Sequence, residues 1–74
     1  QGVEIAVLIR EIRPDLHKCS LRSRGRVNVA GVASRFGGGG HHNAAGCQLS
    51  GDYLTVRRTI VEAVRQELAS CTAC

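Results

Sequence analysis

Four glycines in a row running into two histidines, GGGGHHNAAG over residues 37–46, restrict this chain more than any other stretch. Glycine loses more backbone freedom on folding than any other residue, so such a run weakens a fold unless something requires bare main chain. Glycines permit positive φ and remove every Cβ. Successive N–H groups can then converge on one anion while a ligand approaches the backbone directly, as in a phosphate cradle. A flexible connector is the ordinary alternative. The flanks argue against it, because the run begins at the end of a predicted helix and passes straight into His41-His42-Asn43-Ala44-Ala45-Gly46. The segment is expected to be mobile when empty, since only Ala44 and Ala45 in it can anchor to a core.

The 74 residues leave room for one domain with one modest core, and the chain reads as a piece of something larger. Val3 to Ile12 is rich in β-branched residues and its centre is apolar on both faces, which predicts an inner strand. Arg13-Pro14-Asp15 is a turn signal. A second strand from Leu16 to Ser23 would place His17, Cys19 and Leu21 on one face and Lys18, Ser20 and Arg22 on the other. Asn28 is a good N-cap for a helix whose Val29, Val32, Ala33 and Phe36 form one apolar stripe, and Gly37 would stop it. Cys47 to Leu49 predicts a short strand, Gly51-Asp52 a turn with Asp52 as cap, and Tyr53, Val56, Ile60, Val64 and Leu68 a longer helix. The expected class is α/β in the α+β sense: a small mixed sheet packed by two helices, in the order β-β-α-Gly loop-β-α. Residues 1–70 are expected to form the domain and 71–74 a frayed tail.

A net charge of +4, with basic residues crowded between Lys18 and Arg35, favours an anionic partner. Aromatics at 3% exclude base stacking as the main binding mode. No apolar run approaches the roughly 20 residues that span a bilayer, and a secretory leader pattern is not seen at the start. A cytoplasmic setting without a membrane partner is expected, where Cys19, Cys47, Cys71 and Cys74 stay reduced. Ser20 and Arg22 project the same way, and Lys18, Arg24 and Arg26 continue the spacing if the strand stays extended. Such a row of donors suits phosphate oxygens, although a solvated sheet face would read alike. Of the neighbours His41 and His42 at most one would face a site, the alternative being two ordinary loop histidines. Cys71-x-x-Cys74, Cys47 and the histidines are zinc-ligand types in no recognised spacing. The carboxylates Glu4, Glu11, Asp15, Asp52, Glu62 and Glu67 are scattered, so no metal site is expected in this domain and no machinery for metal-assisted water attack.

Ser20-Leu21-Arg22-Ser23, the helix Asn28 to Phe36 and Gly38-Gly39-Gly40-His41-His42-Asn43-Ala44-Ala45-Gly46 closely resemble the DHH-associated domain of DHH-family phosphoesterases, where the last element reads G-G-G-H-x-x-A-A-G. The likeness runs from about Val3 to Leu68. It is greatest to bacterial exopolyphosphatase-related proteins and oligoribonucleases that also act on 3′-phosphoadenosine 5′-phosphate. RecJ-like exonucleases share the domain, and alanyl-tRNA synthetases end in a related one. The resemblance implies a C-terminal substrate-binding domain that closes over an N-terminal DHH domain holding two manganese ions. It implies short single-stranded RNA or DNA or a nucleoside bisphosphate as partner, and a homodimer of the parent is compatible with it. By motif position Ser20, Arg22 and Ser23 would hold substrate phosphate, Gly38, Gly39 and Gly40 would admit the nucleotide to the backbone, and His41 would touch the phosphate beside the scissile bond as an auxiliary catalytic group. His42 and Asn43 fall at variable positions. The alternative class is a module that binds single-stranded nucleic acid or tRNA and has no catalysis of its own.

Overall fold

A computed structural model describes residues 4–72, with side chains to residue 70. Six elements follow one another: β1 (Glu4–Arg13), β2 (Leu16–Arg24), α1 (Val29–Ser34), β3 (Gly39–His41), β4 (Ala44–Ser50) and α2 (Tyr53–Thr72). The α+β class is the one the patterning predicts. The strands make one sheet in the order β1-β2-β4-β3, and every neighbouring pair is antiparallel.

Two features differ from the sequence expectation. The sheet is antiparallel throughout rather than mixed, and the glycine segment is not simply a loop, because Gly39–His41 pairs with β4 as an edge strand. His42 and Asn43 alone join the two strands, and a connection that short can only return the chain antiparallel. The segment expected to be mobile is therefore anchored by main-chain pairing rather than by its side chains. The tail expected to fray continues α2 as far as Thr72. Residues 73 and 74 lie outside the described residues.

β1 is an edge strand, not an inner one. Ile5, Val7 and Ile9 are half-buried against the core, while Leu8, pointing the other way, is 68% exposed. The second apolar face of its centre is thus left uncovered by this chain. Both helices lie on the face that carries Cys19, Leu21 and Cys47, and these pack with Val29, Val32 and Ala33 of α1 and Val56, Ile60, Ala63 and Val64 of α2. With one phenylalanine and no tryptophan available, the core is aliphatic. Cys19 and Cys47 stand opposite each other in it as free thiols. Burial, and then the neighbouring Cys47, pushes Cys19 up to about 11, so it stays protonated at neutral pH.

The helix ends are set by local chemistry. The Asn28 side chain accepts from the Gly31 N–H at 3.2 Å, and α1 closes with Gly37 N–H donating to Ser34 O and Gly38 N–H to Ala33 O. That bond pair around a glycine at φ +79° is the Schellman arrangement. Buried His17 donates from Nδ1 to the Gly51 carbonyl at 3.1 Å, beside the Tyr53 ring. Gly51 N–H donates to Asp15 O at 2.7 Å, so the start of α2 is tied to the β1–β2 turn.

Asp52 caps α2 by accepting from the Thr55 N–H at 2.8 Å. Those hydrogen bonds from Thr55 hold its carboxyl below the usual carboxylate range. A depressed folded pKa gives a contribution present in full above the unfolded value of about 3.9 and lost as pH falls through the lower folded value. Asp52→Asn keeps an acceptor and removes the titration, so its thermal midpoint should fall less steeply than that of wild type on acidification below about pH 4. Parallel melts across that range check this; superimposable pH profiles would refute it.

Candidate functional site

Strand alternation leaves one face of the sheet without helices, and the pairing register arranges that face in rows. Ala6, Arg22, Ala44 and His41 form one row, Leu8, Ser20, Gly46 and Gly39 the next, and Arg10, Lys18 and Gln48 the third. Residues directly opposite each other in an antiparallel pair share a face. The structure therefore brings Ser20, Arg22, Gly39 and His41 together, as the two-residue spacing on β2 requires of the first two. Neighbouring strands lie about 4.8 Å apart, which sets the Arg22 and His41 backbones about 10 Å from each other with β4 between them. Ala44, Gly46 and Gly39 make a floor with almost no side chains of its own, overlain at Gly46 by the end of the Lys18 side chain, and Ser20 and Arg22 on one side and His41 on the other make its rims.

These rims are chemically free. The Arg22 guanidinium, the Ser20 hydroxyl and the His41 imidazole make no hydrogen bond or ion pair among the described residues. The three rows hold Arg10, Lys18, Arg22 and His41 and no carboxylate, so the face is suited to an anion. It is a trough and not an enclosed cavity. A hollow of about 520 Å³ bordered by Glu4, Ile5, Ala6, Arg22, Ser23 and Arg24 lies at the open end of the hairpin and takes residues from both faces. It touches the trough through Arg22 and Ala6.

The glycines separate into two kinds. A Cβ on Gly40 would stand 2.6 Å from Ala45 Cα, and one on Gly38 would stand 2.7 Å from Cys47 Cβ and strike the Gly46 carbonyl. Both point inward, where β3 can approach β4 only without side chains. A Cβ on Gly39 would meet nothing within 4 Å, and it would rise from the floor of the trough. The converging amides expected over Gly38–Gly40 are not what this backbone makes. The Gly38 N–H is engaged by Ala33 O, and an extended strand sends successive N–H groups to opposite edges. Of the three, Gly39 alone belongs to the bare face.

Ser23 is also separated from Ser20 and Arg22. It pairs with Ile5 on the helix-covered face, its Oγ donates to Val27 O at 2.8 Å, and it accepts from Asn43 Nδ2 at 2.9 Å. Its N–H donates to Asn43 O, and Val29 N–H donates to His42 O at 2.9 Å. These bonds fasten the His42-Asn43 turn to the end of β2 and the start of α1. Ser23 and Asn43 thereby fix the strand end that carries His41 next to the strand end that carries Arg22. Asn43 gave no sequence signal of this, because its partner lies 20 residues away. Of the two histidines, His41 lies in β3 on the bare face and His42 in the turn.

Among the described residues no three His, Cys, Asp or Glu side chains gather as a metal centre needs. The described residues thus do not fit a resident metal pair; the Cys71 side chain and Cys74, two of the zinc-ligand types in the sequence, lie outside them. Among the same residues no helix is long and apolar enough to cross a membrane.

Residues 1–70 match the model of the DHHA1 domain. Over 69 residues the chain is 42% identical to the bifunctional oligoribonuclease and PAP phosphatase NrnA of Thermus thermophilus, a match that covers 92% of this chain and 21% of that protein. The chain thus spans about a fifth of the length of this curated relative. Among solved structures, the pGpG-specific phosphodiesterase PggH from Vibrio cholerae superposes with a TM-score of 0.67 at 20% identity, over 88% of this chain and 24% of that one. At that identity the likeness is one of fold.

Proposed function

We propose, from the premise that this chain belongs to the DHHA1 domain family, that its bare sheet face is the phosphate-binding half of a cytoplasmic phosphoesterase site. The substrates of this reading are short oligonucleotides, 3′-phosphoadenosine 5′-phosphate, or both. The observation that carries it is the set of three uncommitted donors, Ser20, Arg22 and His41, around a floor of small residues that is open at Gly39.

Each group has a distinct part. The planar guanidinium of Arg22 grips two phosphoryl oxygens at once. The Ser20 hydroxyl, one row along, donates to the same group, and His41 donates from a ring N–H across the floor, which makes it the auxiliary catalytic residue. Gly39 and Ala44 let the sugar–phosphate chain lie close against the sheet, beside the Lys18 side chain that lies over Gly46. Fixed donors aimed at a phosphoryl group offset the charge that builds as it reacts. An open trough also needs a roof. The reading assigns that roof, together with two manganese ions and the attack of water, to an N-terminal DHH domain of the parent protein, and the present chain holds and orients the phosphate.

A length series tests this. Affinity of the full-length protein for single-stranded oligonucleotides at fixed salt is expected to saturate after a few nucleotides, as for a pocket that recognises an end. Affinity that keeps rising with length and falls steeply with salt belongs to a backbone-tracking binder. That result would replace this reading with a non-catalytic single-strand or tRNA-contacting module.

A further inference from the structure

We infer that Lys18, with Arg10 beside it, forms a second anion subsite next to the Arg22–His41 row, one that takes the second phosphate of a two-phosphate ligand. The inference rests on the proposed reading of the bare face as phosphate-binding, and it names the substrate feature that this face selects.

Lys18 and Arg10 stand directly opposite each other across β1 and β2. Like charges in that position destabilise a sheet. Neither makes an ion pair among the described residues, and their row contains no carboxylate to relieve the repulsion. The lysine turns out of the row toward Gly46, and an anion beside it would offset the repulsion that remains.

The lysine is also aimed. Its Cε lies 3.2 Å and its Nζ 3.9 Å from the point where a Cβ on Gly46 would stand. The aliphatic stem therefore lies across the bare Cα of Gly46. This carries the ammonium out of its own row into the one formed by Ser20, Gly46 and Gly39. Any side chain at position 46 would occupy that path. The result is a positive charge about one row from Arg22, and two residues along a strand span about 6.8 Å. Neighbouring phosphates of a nucleotide chain are separated on that scale. A terminal phosphate carries more charge than an internal diester, and the ammonium supplies a cation to match it, with Arg10 adding to the positive field of the neighbouring row. A ligand with a phosphate at each end of one nucleoside, or a short 5′-phosphorylated oligonucleotide, would engage both subsites. A single-phosphate ester would engage only the Arg22–His41 row.

The experiment compares Lys18→Gln with wild type in the full-length enzyme on two substrates, 3′-phosphoadenosine 5′-phosphate and thymidine 5′-p-nitrophenyl phosphate. KM for the first is expected to rise about tenfold, the size of one charge-assisted hydrogen bond. KM for the second should stay unchanged, and Lys18→Arg should restore most of the loss. Equal effects on both substrates, or no effect on either, would overturn the subsite. Arg22→Ala run in parallel separates the two levels: it should impair both substrates. If it impairs neither while Lys18→Gln still discriminates, the reading of the Arg22 row fails and the lysine subsite stands.

Discussion

Arg22→Ala in the full-length protein is expected to lower kcat/KM by roughly 10- to 150-fold, the rate equivalent of losing one hydrogen bond to a charged group at about 1.5–3 kcal/mol. The fold should not notice. Arg22 is exposed and makes no hydrogen bond or ion pair among the described residues, so its removal strands no buried group. Surface substitutions of that kind stay within about 0.5 kcal/mol. An unchanged melting temperature beside a large kinetic loss would therefore locate the effect in the bound state. Arg22→Lys should recover only part of the activity, because an ammonium keeps the charge but not the planar fork. Full activity in Arg22→Ala would remove this residue, and with it the proposed phosphate grip, from the mechanism.

The second large effect divides two adjacent glycines. Gly38→Ala would push a methyl into the Gly46 carbonyl and within 2.8 Å of Cys47 Cα. These atoms are backbone or buried, so relief requires β3 to move away from β4. Overpacking of this kind costs about 1–3 kcal/mol and sometimes more. In a domain of this size each kcal/mol lowers the melting temperature by about 4–8 °C. Gly39→Ala should melt close to wild type, since its methyl meets nothing in the protein. It should instead raise KM, because that methyl stands on the floor where the nucleotide chain would lie. Thermal melts and substrate titrations of the two variants decide it. A Gly38→Ala that melts like wild type contradicts the close-packing account, and a Gly39→Ala with unaltered KM means that ligand does not lie on the floor.

Much of this was legible from short-range pattern. The period of two along β2 sorted Lys18, Ser20 and Arg22 from His17, Cys19 and Leu21, and the capping residues Asn28 and Asp52 act where the sequence placed them. The same period puts Ser23 with Cys19 and Leu21. The motif resemblance grouped it with Ser20 and Arg22, whereas its place on the sheet follows the alternation. What the pattern could not reveal was non-local. Glycine is depleted in strands, so Gly39–His41 gave no strand signal, and its pairing depends on small residues across from it at Ala44, Ala45 and Gly46. The edge position of β1 was hidden for a related reason: an apolar segment records how much surface it wants covered, while strand order is decided by which partners arrive. The motif resemblance favoured His41 over His42, but that His41 lies on the bare face could be read only from the register of β3.

The floor of the trough is polypeptide main chain left bare at Gly39, and a point mutation there can only fill it. Proteins that inherit this scaffold can diversify what they recognise at the rim positions of β2 and β3, along the neighbouring edge of β1 and in whatever body closes over them. A floor glycine would persist while preferences drift around it, so members of such a lineage should differ in which nucleotide they accept far more readily than in whether a nucleotide chain can lie on the sheet.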